Sequence, residues 1–511
     1  MKSIIKILAV LLALMMVLTS LIACGGSKET ETDPKAETTD NNGGSENQET
    51  EDPRLAVKDD IPADLNYSGA NDNTITFFVR NDSDGWKYEM DVDEITNDTL
   101  WDSIYERNRT VEARLGVEIT TIGQLGAWGK HTEWFQTLRN AVNTKSGDFD
   151  TAAIYLSQGA SLAVEGMYYN LYDFPNINLS KPWWNQSICE ETTLFDALYF
   201  LSGDIAYTET NGGKCLFFNK TMFERLYGAQ DLNLYDIVEA GEWTIDLFYE
   251  LVEGAWEDTN SSGITDNGDI VGLNVQFASN GNSRMDSWIP ALGLRITSMP
   301  DGFPVLSLYN ERSVAAFEKL QNLYEKNVGT LQGDAAANPD STFAAGKALF
   351  DLYTLSNGGN LRDMTDPYGV LPLPKFDEEQ ESYGTNPDAG VSLVVVLSSC
   401  FDDKVEMVGA TLELMAAESY KKVTPTFYEV VLKSKYSNDP RDADMYDLIL
   451  NSFVYDFGFI YAAQIGGVAG LFRNTTVDFA QLYESNETSY ETALENLIDK
   501  LDEIAFNAQN N

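Results

Sequence analysis

Histidine and basic residues are scarce in this sequence. Its 511 residues include one histidine, His131, and 34 Lys and Arg against 80 Asp and Glu, which gives a formal net charge of −46. Binding to DNA or RNA needs clustered cations that displace counterions from phosphates, so this balance excludes nucleic acid as a partner. A Ser-His-Asp triad, a Cys-His pair or a zinc site would have to use His131 or do without imidazole.

Cysteine is also rare. Of the four cysteines, Cys24 belongs to the N-terminal segment, and Cys189, Cys215 and Cys400 remain. Three thiols allow at most one disulfide and show no C-x-x-C spacing, so a disulfide framework is excluded. We expect these three side chains to be buried as small hydrophobic groups.

The longest apolar run stands at the N-terminus. Lys2 and Lys6 precede 12 apolar residues at 7–18, a length typical of a signal peptide and shorter than the roughly 20 residues that span a membrane. The Leu-Ile-Ala-Cys sequence that ends at Cys24 resembles the lipobox of bacterial lipoproteins, whose cysteine is lipidated. Residues 1–24 are therefore predicted to be a lipoprotein signal peptide, and the alternative is a secretory signal with a chance cysteine.

Residues 25–54 contain one apolar side chain, Ala36, and carry 9 acidic and 3 basic residues. Such a segment cannot bury a core, so it is predicted to be a disordered acidic tether. The strong negative charge of the rest of the chain would be repelled by an anionic bilayer. We therefore expect localisation at the extracellular face of the cell membrane, held by the lipid anchor alone.

After the tether, short apolar strands alternate with helix-length segments. Apolar residues at every second position of 74–80 predict a half-buried strand. A stripe of apolar residues over 99–115 predicts a helix that stops at Gly116, and Thr244 is predicted to cap another. Further strands are predicted at 117–121, 149–156, 215–219, 270–275, 348–353 and 391–397, and further helices at 133–142, 313–326, 405–418, 419–435 and 490–506.

This order of elements predicts an α/β fold with a largely parallel sheet. Two α/β units, with a late return of the chain to the first, account for it. The N-terminal lobe is predicted at 65–205 plus 390–438, and the C-terminal lobe at 215–388 plus 440–511. Ligands of such sheets lie beyond the carboxyl ends of the strands, so we expect the loops after Val79 and Leu156 to contact the ligand.

Short motifs occur in a shared order along nearly the whole chain. CLFFNKTMFE at 215–224 is an aromatic-Asn-Lys element, FAAGKALF at 343–350 fits F-x-x-G-K-x-A, and LPLPKF at 371–376 is a proline-rich link. The remaining motifs are WTIDLF at 243–248, YERNR at 105–109, KPWWN at 181–185 and ESYKKV at 418–423. Together they resemble the extracellular solute-binding lipoproteins of bacterial ABC importers, family 1, the carbohydrate-type group. One departure is that Trp243 precedes Thr244, whereas the family has threonine before tryptophan.

The resemblance implies a periplasmic-binding-protein-like fold of two lobes, joined by a hinge and closing on a ligand in the cleft. It implies a substrate-binding component that captures an extracellular carbohydrate, such as an oligosaccharide, and delivers it to membrane permease subunits. Such a protein is expected to act as a monomer, to catalyse no reaction and to require no cofactor. The transporter's ATPase is expected to be another chain, because no Gly-Lys is followed by Ser or Thr as a P-loop requires.

A sugar cleft needs aromatic rings that stack on C–H faces and polar groups that pair with hydroxyls. Trp183 and Trp184 lie in a Pro-containing loop, and since adjacent residues point apart, at most one is expected to face the cleft. Core packing of both is the alternative. The other candidates lie near predicted strand ends or in loops, where solvated positions are the alternative for the polar ones: Trp288, Tyr353, Arg80, Gln158 and Asp204.

Residues 258–269 have the spacing of a calcium-binding EF-hand loop. Gly263 holds the sixth position, and the oxygen-bearing candidates are Asp258, Asn260, Ser262, Asp266 and Asp269. Ser262 is neutral where Asp is usual, and Asp269 is one methylene shorter than the usual Glu. A bound calcium would be a structural one, and the alternative is a polar turn.

Two other classes of function remain open. An extracellular glycoside hydrolase could work with two carboxylates and no histidine, and it would turn over a chromogenic glycoside. An adhesion or scaffold lipoprotein would bind no small ligand. A binding protein would instead show stoichiometric heat and a change in tryptophan fluorescence.

Overall fold

The computed structural model describes residues 52–127, 129–276, 283–333, 339–429 and 439–510. All of them belong to one compact unit, Asp52–Asn511. The predicted signal peptide, Cys24 and residues 25–51 of the predicted tether lie outside the described residues, as do residues 430–435 of the helix predicted at 419–435. Within the described part, no helix is both long and apolar enough to cross a membrane.

The strands of the described residues are numbered in chain order. They are β1 Thr74–Arg80, β2 Glu118–Gln124, β3 Thr151–Tyr155, β4 Lys214–Asn219, β5 Val271–Gln276, β6 Thr297–Ser298, β7 Val305–Leu306, β8 Thr330–Gly333, β9 Ala348–Thr354, β10 Tyr368–Leu371 and β11 Ser392–Val396.

The α-helices are numbered in the same way. They are α1 Asp84–Lys87, α2 Thr99–Leu115, α3 His131–Thr144, α4 Leu156–Ala163, α5 Gln186–Thr192, α6 Tyr207–Asn211, α7 Lys220–Tyr227, α8 Leu234–Glu239, α9 Ile245–Gly254, α10 Trp288–Ala291, α11 Glu311–Gln321, α12 Pro339–Ala344, α13 Val405–Glu418, α14 Thr424–Thr426, α15 Pro440–Asn451, α16 Phe457–Ile460 and α17 Phe479–Asn510.

Shorter helical turns connect these elements. The 3₁₀ turns are Pro53–Ala56, Leu171–Asp173, Gly228–Gln230, Ser283–Ser287, Pro300–Gly302, Leu355–Gly359, Asp402–Lys404 and Val468–Arg473, and the π turns include Asn322–Lys326 and Ser419–Val423.

The first sheet has the strand order β11-β3-β1-β2. β1 runs parallel to β2 over its whole length, and it is also parallel to β3. The late strand β11 is antiparallel to β3, with Ser392 opposite Tyr155. The chain therefore does return to the first sheet, as the sequence predicts. Its core includes Phe78, whose ring centroid lies 4.7 Å from that of Trp134 and 4.4 Å from that of Phe149.

The second sheet has the strand order β10-β4-β9-β5-β8. Only the β5 pairs, with β8 and β9, are parallel, whereas β4 is antiparallel to both β9 and β10. The prediction of a largely parallel sheet is thus correct for the first sheet and wrong for the second. A strand's direction depends on its partners, which the local sequence does not specify.

Three chain segments cross near one another between the two sheets. Gly213, just before β4, forms a bridge with Pro387, and Thr385 forms a bridge with Phe453. We call 207–214, 385–391 and 452–456 the crossing segments. They place the start of β4 and the start of β11 side by side, because the Asp388 amide donates to the Gly212 carbonyl oxygen at 2.8 Å.

Several predicted elements are confirmed in detail. The helices predicted at 99–115 and 405–418 have those bounds, and the Thr244 hydroxyl accepts a hydrogen bond from the Leu247 amide at 3.4 Å. The helix predicted at 313–326 begins earlier, at Glu311, because Asn310 is its cap. Ser313 is the partner of Asn310 in a capping box and not the first residue of the helix.

A close backbone contact fixes α9 against the second sheet. A Cβ atom built on Gly329 would lie 1.8 Å from the Val252 carbonyl oxygen, which is helix backbone that cannot rotate away. The Gly329 carbonyl oxygen also accepts hydrogen bonds from the amides of Gly272 and Leu273, at 2.8 and 3.1 Å. Only glycine allows the helix and strand to approach so closely.

We therefore predict that Gly329→Ala lowers the free energy of unfolding by about 2 kcal/mol or more, because overpacking forces backbone shifts. Urea unfolding followed by circular dichroism measures this effect. The control is Gly69→Ala, where a Cβ atom would meet no atom within 4 Å. Equal unfolding midpoints for the two variants would contradict the packing described.

Candidate ligand-binding site

An arginine lies between two aromatic rings at the carboxyl ends of β1 and β3. Arg80 ends β1 and Tyr155 ends β3, while Trp86 belongs to α1. The Arg80 guanidinium carbon lies 4.3 Å from the Trp86 ring centroid and 3.9 Å from that of Tyr155. The two rings are 6.0 Å apart and inclined by 66°. Both distances are within the range of cation–π attraction, so the three side chains form one contacting group.

Backbone and hydroxyl oxygens complete the surroundings of Arg80. Its Nη1 donates to the Gly390 carbonyl oxygen at 2.8 Å and its Nη2 to Ser392 Oγ at 2.7 Å. Arg80 is 1% exposed, whereas Trp86 is only half-buried. The group therefore presents an aromatic surface supported from behind by a buried cation.

A second arginine–aromatic contact lies on β9 of the second sheet. The Arg284 guanidinium carbon lies 3.8 Å from the ring centroid of Tyr353, which is half-buried. Arg284 Nη1 donates to the Leu352 carbonyl oxygen and Nη2 to Asp340 Oδ1, both at 3.2 Å. The ring and the cation are thus held by strand, turn and helix together.

An ion pair between Lys214 and Asp388 lies at the crossing segments. Burial acts to raise the pKa of Asp388, but the Lys214 ammonium outweighs it and holds this pKa below its usual value. Burial raises the pKa values of Tyr155 and Tyr353, and the charge of Asp388 adds to both shifts. Asp388 is therefore within electrostatic reach of rings on both sheets.

We call this set of side chains the arginine–aromatic site. It consists of Arg80, Trp86, Tyr155, Lys214, Arg284, Tyr353 and Asp388. A Cβ atom on Gly390 would lie 3.4 Å from Tyr155, 3.8 Å from Trp86 and 3.0 Å from Asp388, which shows how closely the crossing segment passes the rings. Aromatic faces beside charged donors and acceptors are suited to a polar ligand with C–H faces.

Asp351 is a buried carboxyl next to this site. It lies two residues before Tyr353 on β9, and side chains two positions apart on a strand lie on the same face of the sheet. Its Oδ2 accepts from Asn357 Nδ2 at 3.3 Å, and its Oδ1 lies 3.9 Å from Arg284 Nη1. Burial, with a further contribution from the charge of Asp340, raises the pKa of Asp351 to about 7.

Two of the residues predicted from the sequence belong to the site, and two others lie elsewhere. Arg80 and Tyr353 are members. Gln158 is half-buried in α4, three residues after Tyr155, and its carbonyl oxygen accepts from Ser161 Oγ at 2.8 Å. Asp204 accepts a hydrogen bond from the Thr424 hydroxyl, and burial raises its pKa to about 7.

The three predicted tryptophans occupy interior positions. Trp184 Nε1 donates to Glu413 Oε2 at 2.8 Å, and Trp288 Nε1 donates to the Tyr324 hydroxyl at 2.7 Å. Trp183 is fully buried, with its ring centroid 6.2 Å from that of Tyr420. Trp183 and Trp184 therefore both lie in the interior, which is the core-packing alternative to a position in the cleft.

Sequence reasoning did not name five members of the site. Tyr155 could have been found, because it is the penultimate residue of the strand predicted at 149–156, whose following loop was expected to contact the ligand. Trp86 carries a similar signal, because it lies in the segment after Val79 that was expected to contact the ligand. Lys214, Arg284 and Asp388 carry none, since each joins the site through a contact distant in sequence.

The loop predicted to bind calcium folds on itself. Asp258 accepts from the amides of Ser262 at 3.1 Å and of Gly263 at 2.8 Å. Asn260 Nδ2 donates to Asp266 Oδ2 at 2.8 Å. The candidate oxygen ligands are therefore brought close together by the loop's own hydrogen bonds.

Asp269, the last residue of this loop, is buried. It accepts from the Thr259 amide at 3.1 Å and from Trp256 Nε1 at 3.2 Å. Among the described residues, no three His, Cys, Asp or Glu side chains are grouped so that they could hold a metal ion. The calcium site stays a prediction.

No protein-family model matches this sequence, and no curated protein matches it. Several solved structures are similar. A cyclo/maltodextrin-binding protein complexed with maltotetraose has a TM-score of 0.54 and 13% identity, covering 85% of this chain and 97% of its own. The galacto-N-biose-/lacto-N-biose I-binding protein of an ABC transporter from Bifidobacterium longum has a TM-score of 0.53 and 16% identity, covering 83% and 97%.

A third similar structure binds a different kind of ligand. UgpB from Mycobacterium tuberculosis, in complex with glycerophosphocholine, has a TM-score of 0.53 and 13% identity, covering 83% of this chain and 99% of its own. These similarities establish the fold: it is the mixed α/β fold of periplasmic-binding-protein-like solute-binding proteins, as the sequence predicts.

The raised pKa of Asp351 predicts how stability depends on pH. Between its unfolded value of 3.8 and its folded value of about 7, the folded protein holds a proton that the unfolded chain releases, so stability falls as pH rises through this window. Asn cannot ionise, so Asp351→Asn should be more stable than wild type by about 1 kcal/mol or more at pH 8. The advantage should shrink toward pH 4.

Urea unfolding midpoints across this pH range measure the difference. The control is Asp363→Asn, at an exposed position, and its profile should run parallel to that of wild type. A parallel profile for Asp351→Asn would show that the buried carboxyl does not titrate in this way.

Proposed function

We propose that this protein is the substrate-binding component of an ABC importer and captures an extracellular carbohydrate, such as an oligosaccharide. The observation that carries the proposal is the arginine–aromatic site. Half-buried Trp86 lies in α1 beside the first sheet, and half-buried Tyr353 lies on β9 of the second sheet. The charge of Asp388 acts on both Tyr155 and Tyr353. Similar structures that bind maltotetraose and lacto-N-biose support the same class of ligand.

The proposed mechanism is closure of the two sheets on the ligand. A saccharide that stacks on one ring gains further contacts when the other sheet approaches, so its binding favours the closed state. The crossing segments form the natural hinge, because they join the sheets directly beside the site. The closed complex then delivers the sugar to membrane permease subunits.

The rest of the proposal follows from the sequence. The protein is held at the extracellular face of the cell membrane by a lipid on Cys24, which becomes the N-terminal residue after removal of the residues before it. Residues 25–54 act as its tether, and it works as a monomer. It catalyses no reaction and needs no cofactor, so chelation of metal ions should leave sugar affinity unchanged.

The first test removes the aromatic surfaces. Trp86→Ala and Tyr353→Ala should each weaken saccharide binding at least tenfold, about 1.4 kcal/mol, because each removes a stacking surface. Isothermal calorimetry measures this after a thermal-shift screen against maltotetraose, lacto-N-biose and glycerophosphocholine. Binding raises the melting temperature with the logarithm of ligand concentration over its dissociation constant.

The matched control is Tyr172→Ala, which removes an exposed ring outside the site and should leave affinity unchanged. A response to glycerophosphocholine alone would replace the carbohydrate with a phosphodiester ligand. Unchanged affinity in both site variants would place binding elsewhere. Turnover of a chromogenic glycoside would favour the hydrolase, and no response to any polar solute would favour the adhesion protein.

The calcium loop is a separate proposal. If Asp258, Asn260, Ser262, Asp266 and Asp269 bind calcium, added Ca²⁺ should release or absorb heat and raise the melting temperature, and Asp258→Asn should abolish both effects. The control Asp363→Asn should retain them. No heat and no rise in melting temperature would identify the loop as a polar turn.

A further inference from the structure

Glu89 lies deep in the first sheet's half of the molecule, close behind the arginine–aromatic site. It is 1% exposed and follows α1, the helix that carries Trp86. Its Oε1 accepts a hydrogen bond from the Thr208 amide at 3.0 Å and another from the Thr208 hydroxyl. Thr208 belongs to the first crossing segment, so Glu89 fixes that segment to the chain around α1.

The hydrogen bonds continue from Thr208 to the site. Thr208 Oγ1 also accepts from the Ser392 amide at 3.1 Å, at the start of β11. Ser392 Oγ in turn accepts from Arg80 Nη2 at 2.7 Å. Glu89, Thr208, Ser392 and Arg80 are thus linked in series, with a carboxylate at one end and a guanidinium at the other. Ser392 bonds Thr208 through its amide and Arg80 through its hydroxyl, and we call this series the relay.

Glu209, the residue after Thr208, joins the third crossing segment, 452–456, to this relay. Glu209 accepts from the Gly203 amide at 2.7 Å and from the Tyr455 hydroxyl. Adjacent residues of α6 therefore bind the start of β11 through Thr208 and the third crossing segment through Glu209. The orientation of Arg80 and the placement of the crossing segments depend on the same short helix.

Each of the two charges at the ends of the relay lowers the free-energy cost of burying the other. A buried charge is costly unless another charge or hydrogen bonds compensate it. The Gly390 carbonyl oxygen and Ser392 Oγ, which accept hydrogen bonds from Arg80, are neutral. Burial lowers the pKa of Arg80, while Tyr155 and Glu89 oppose that shift. If the Glu89 carboxylate were removed, hydration would favour movement of the Arg80 guanidinium away from the rings and toward water.

We propose that Glu89 is a positioning residue of the binding site, which holds Arg80 against Trp86 and Tyr155 through Thr208 and Ser392. Its effect on ligand affinity rests on the proposed function. Its effect on Arg80 is a property of the ligand-free protein and can be measured without any ligand.

Because Glu89 can take up a proton, the position of Arg80 should depend on pH. Burial raises the pKa of Glu89, whereas the hydrogen bonds from Thr208 and the charge of Arg80 oppose that rise. The charged groups that face it are Arg80 on β1 and Arg107 on α2, with Asp91 nearby on its own segment. As pH falls through this raised pKa, Glu89 becomes neutral and the hold on Arg80 weakens.

The test follows Trp86 emission in the ligand-free protein during a pH titration. The signal of Trp86 is the difference between each protein and its Trp86→Phe counterpart. Wild type should show an acid transition, whereas Glu89→Gln should show none and should match the acid limit of wild type at every pH. Glu94→Gln, an exposed glutamate five residues away, should titrate like wild type.

Thr208→Val interrupts the relay without removing a charge, and should shift the emission toward the acid limit while circular dichroism remains native. This variant decides the question if Glu89→Gln does not fold. An acid transition retained in Glu89→Gln, or an unchanged emission in Thr208→Val, would overturn the proposal.

Calorimetry with maltotetraose adds the functional readout. Glu89→Gln should weaken binding about tenfold at pH 7.5, and it should cause no further loss in an Arg80→Gln background, because both changes act on one interaction. Additive losses would overturn the proposal. If maltotetraose binds none of the proteins, the proposed function fails for this sugar, and the emission titration alone decides the role of Glu89.

Discussion

The structure depends on a guanidinium that is buried between two aromatic rings. Arg80 can leave water only because the Trp86 and Tyr155 rings attract it and because oxygens of Gly390 and Ser392 accept its hydrogen bonds. These partners come from different parts of the chain: a strand end, a short helix, a crossing segment and the start of β11. The requirement to satisfy one buried cation therefore fixes the geometry where the two sheets meet.

The second sheet also holds an arginine against an aromatic ring, with partners from a different set of elements. Arg284 stacks on Tyr353 and is shared between Asp340 and the more distant Asp351. The Lys214–Asp388 pair lies between the two arginine groups. Although the chain as a whole is strongly acidic, cations and carboxylates are matched in this region. A locally balanced site with aromatic faces is suited to a neutral polar ligand such as a sugar.

The order of helices and strands could be predicted because its signals are local, whereas the strand directions of the second sheet could not. Apolar periodicity and a glycine stop define α2, and the return of β11 follows from the order of elements. Members of the candidate site were predicted only at or next to a strand end, as for Arg80 and Tyr353. Lys214 and Asp388 are 174 residues apart, and no local pattern links them. The sequence left open whether Trp183 and Trp184 face the cleft or pack in the core, because residue type alone does not show which face of a loop packs inward.

The central claim is that a sugar draws the two sheets together and is released unchanged. Spin labels at Glu118→Cys on β2 and Asp363→Cys after β9, both exposed positions, allow the distance between the sheets to be measured by electron double resonance. The native thiols Cys189, Cys215 and Cys400 are buried and should not react with the label. Saturation with a saccharide that raises the melting temperature should shorten this distance, and the sugar should be recovered intact. An unchanged distance, or a chemically altered sugar, would contradict the account.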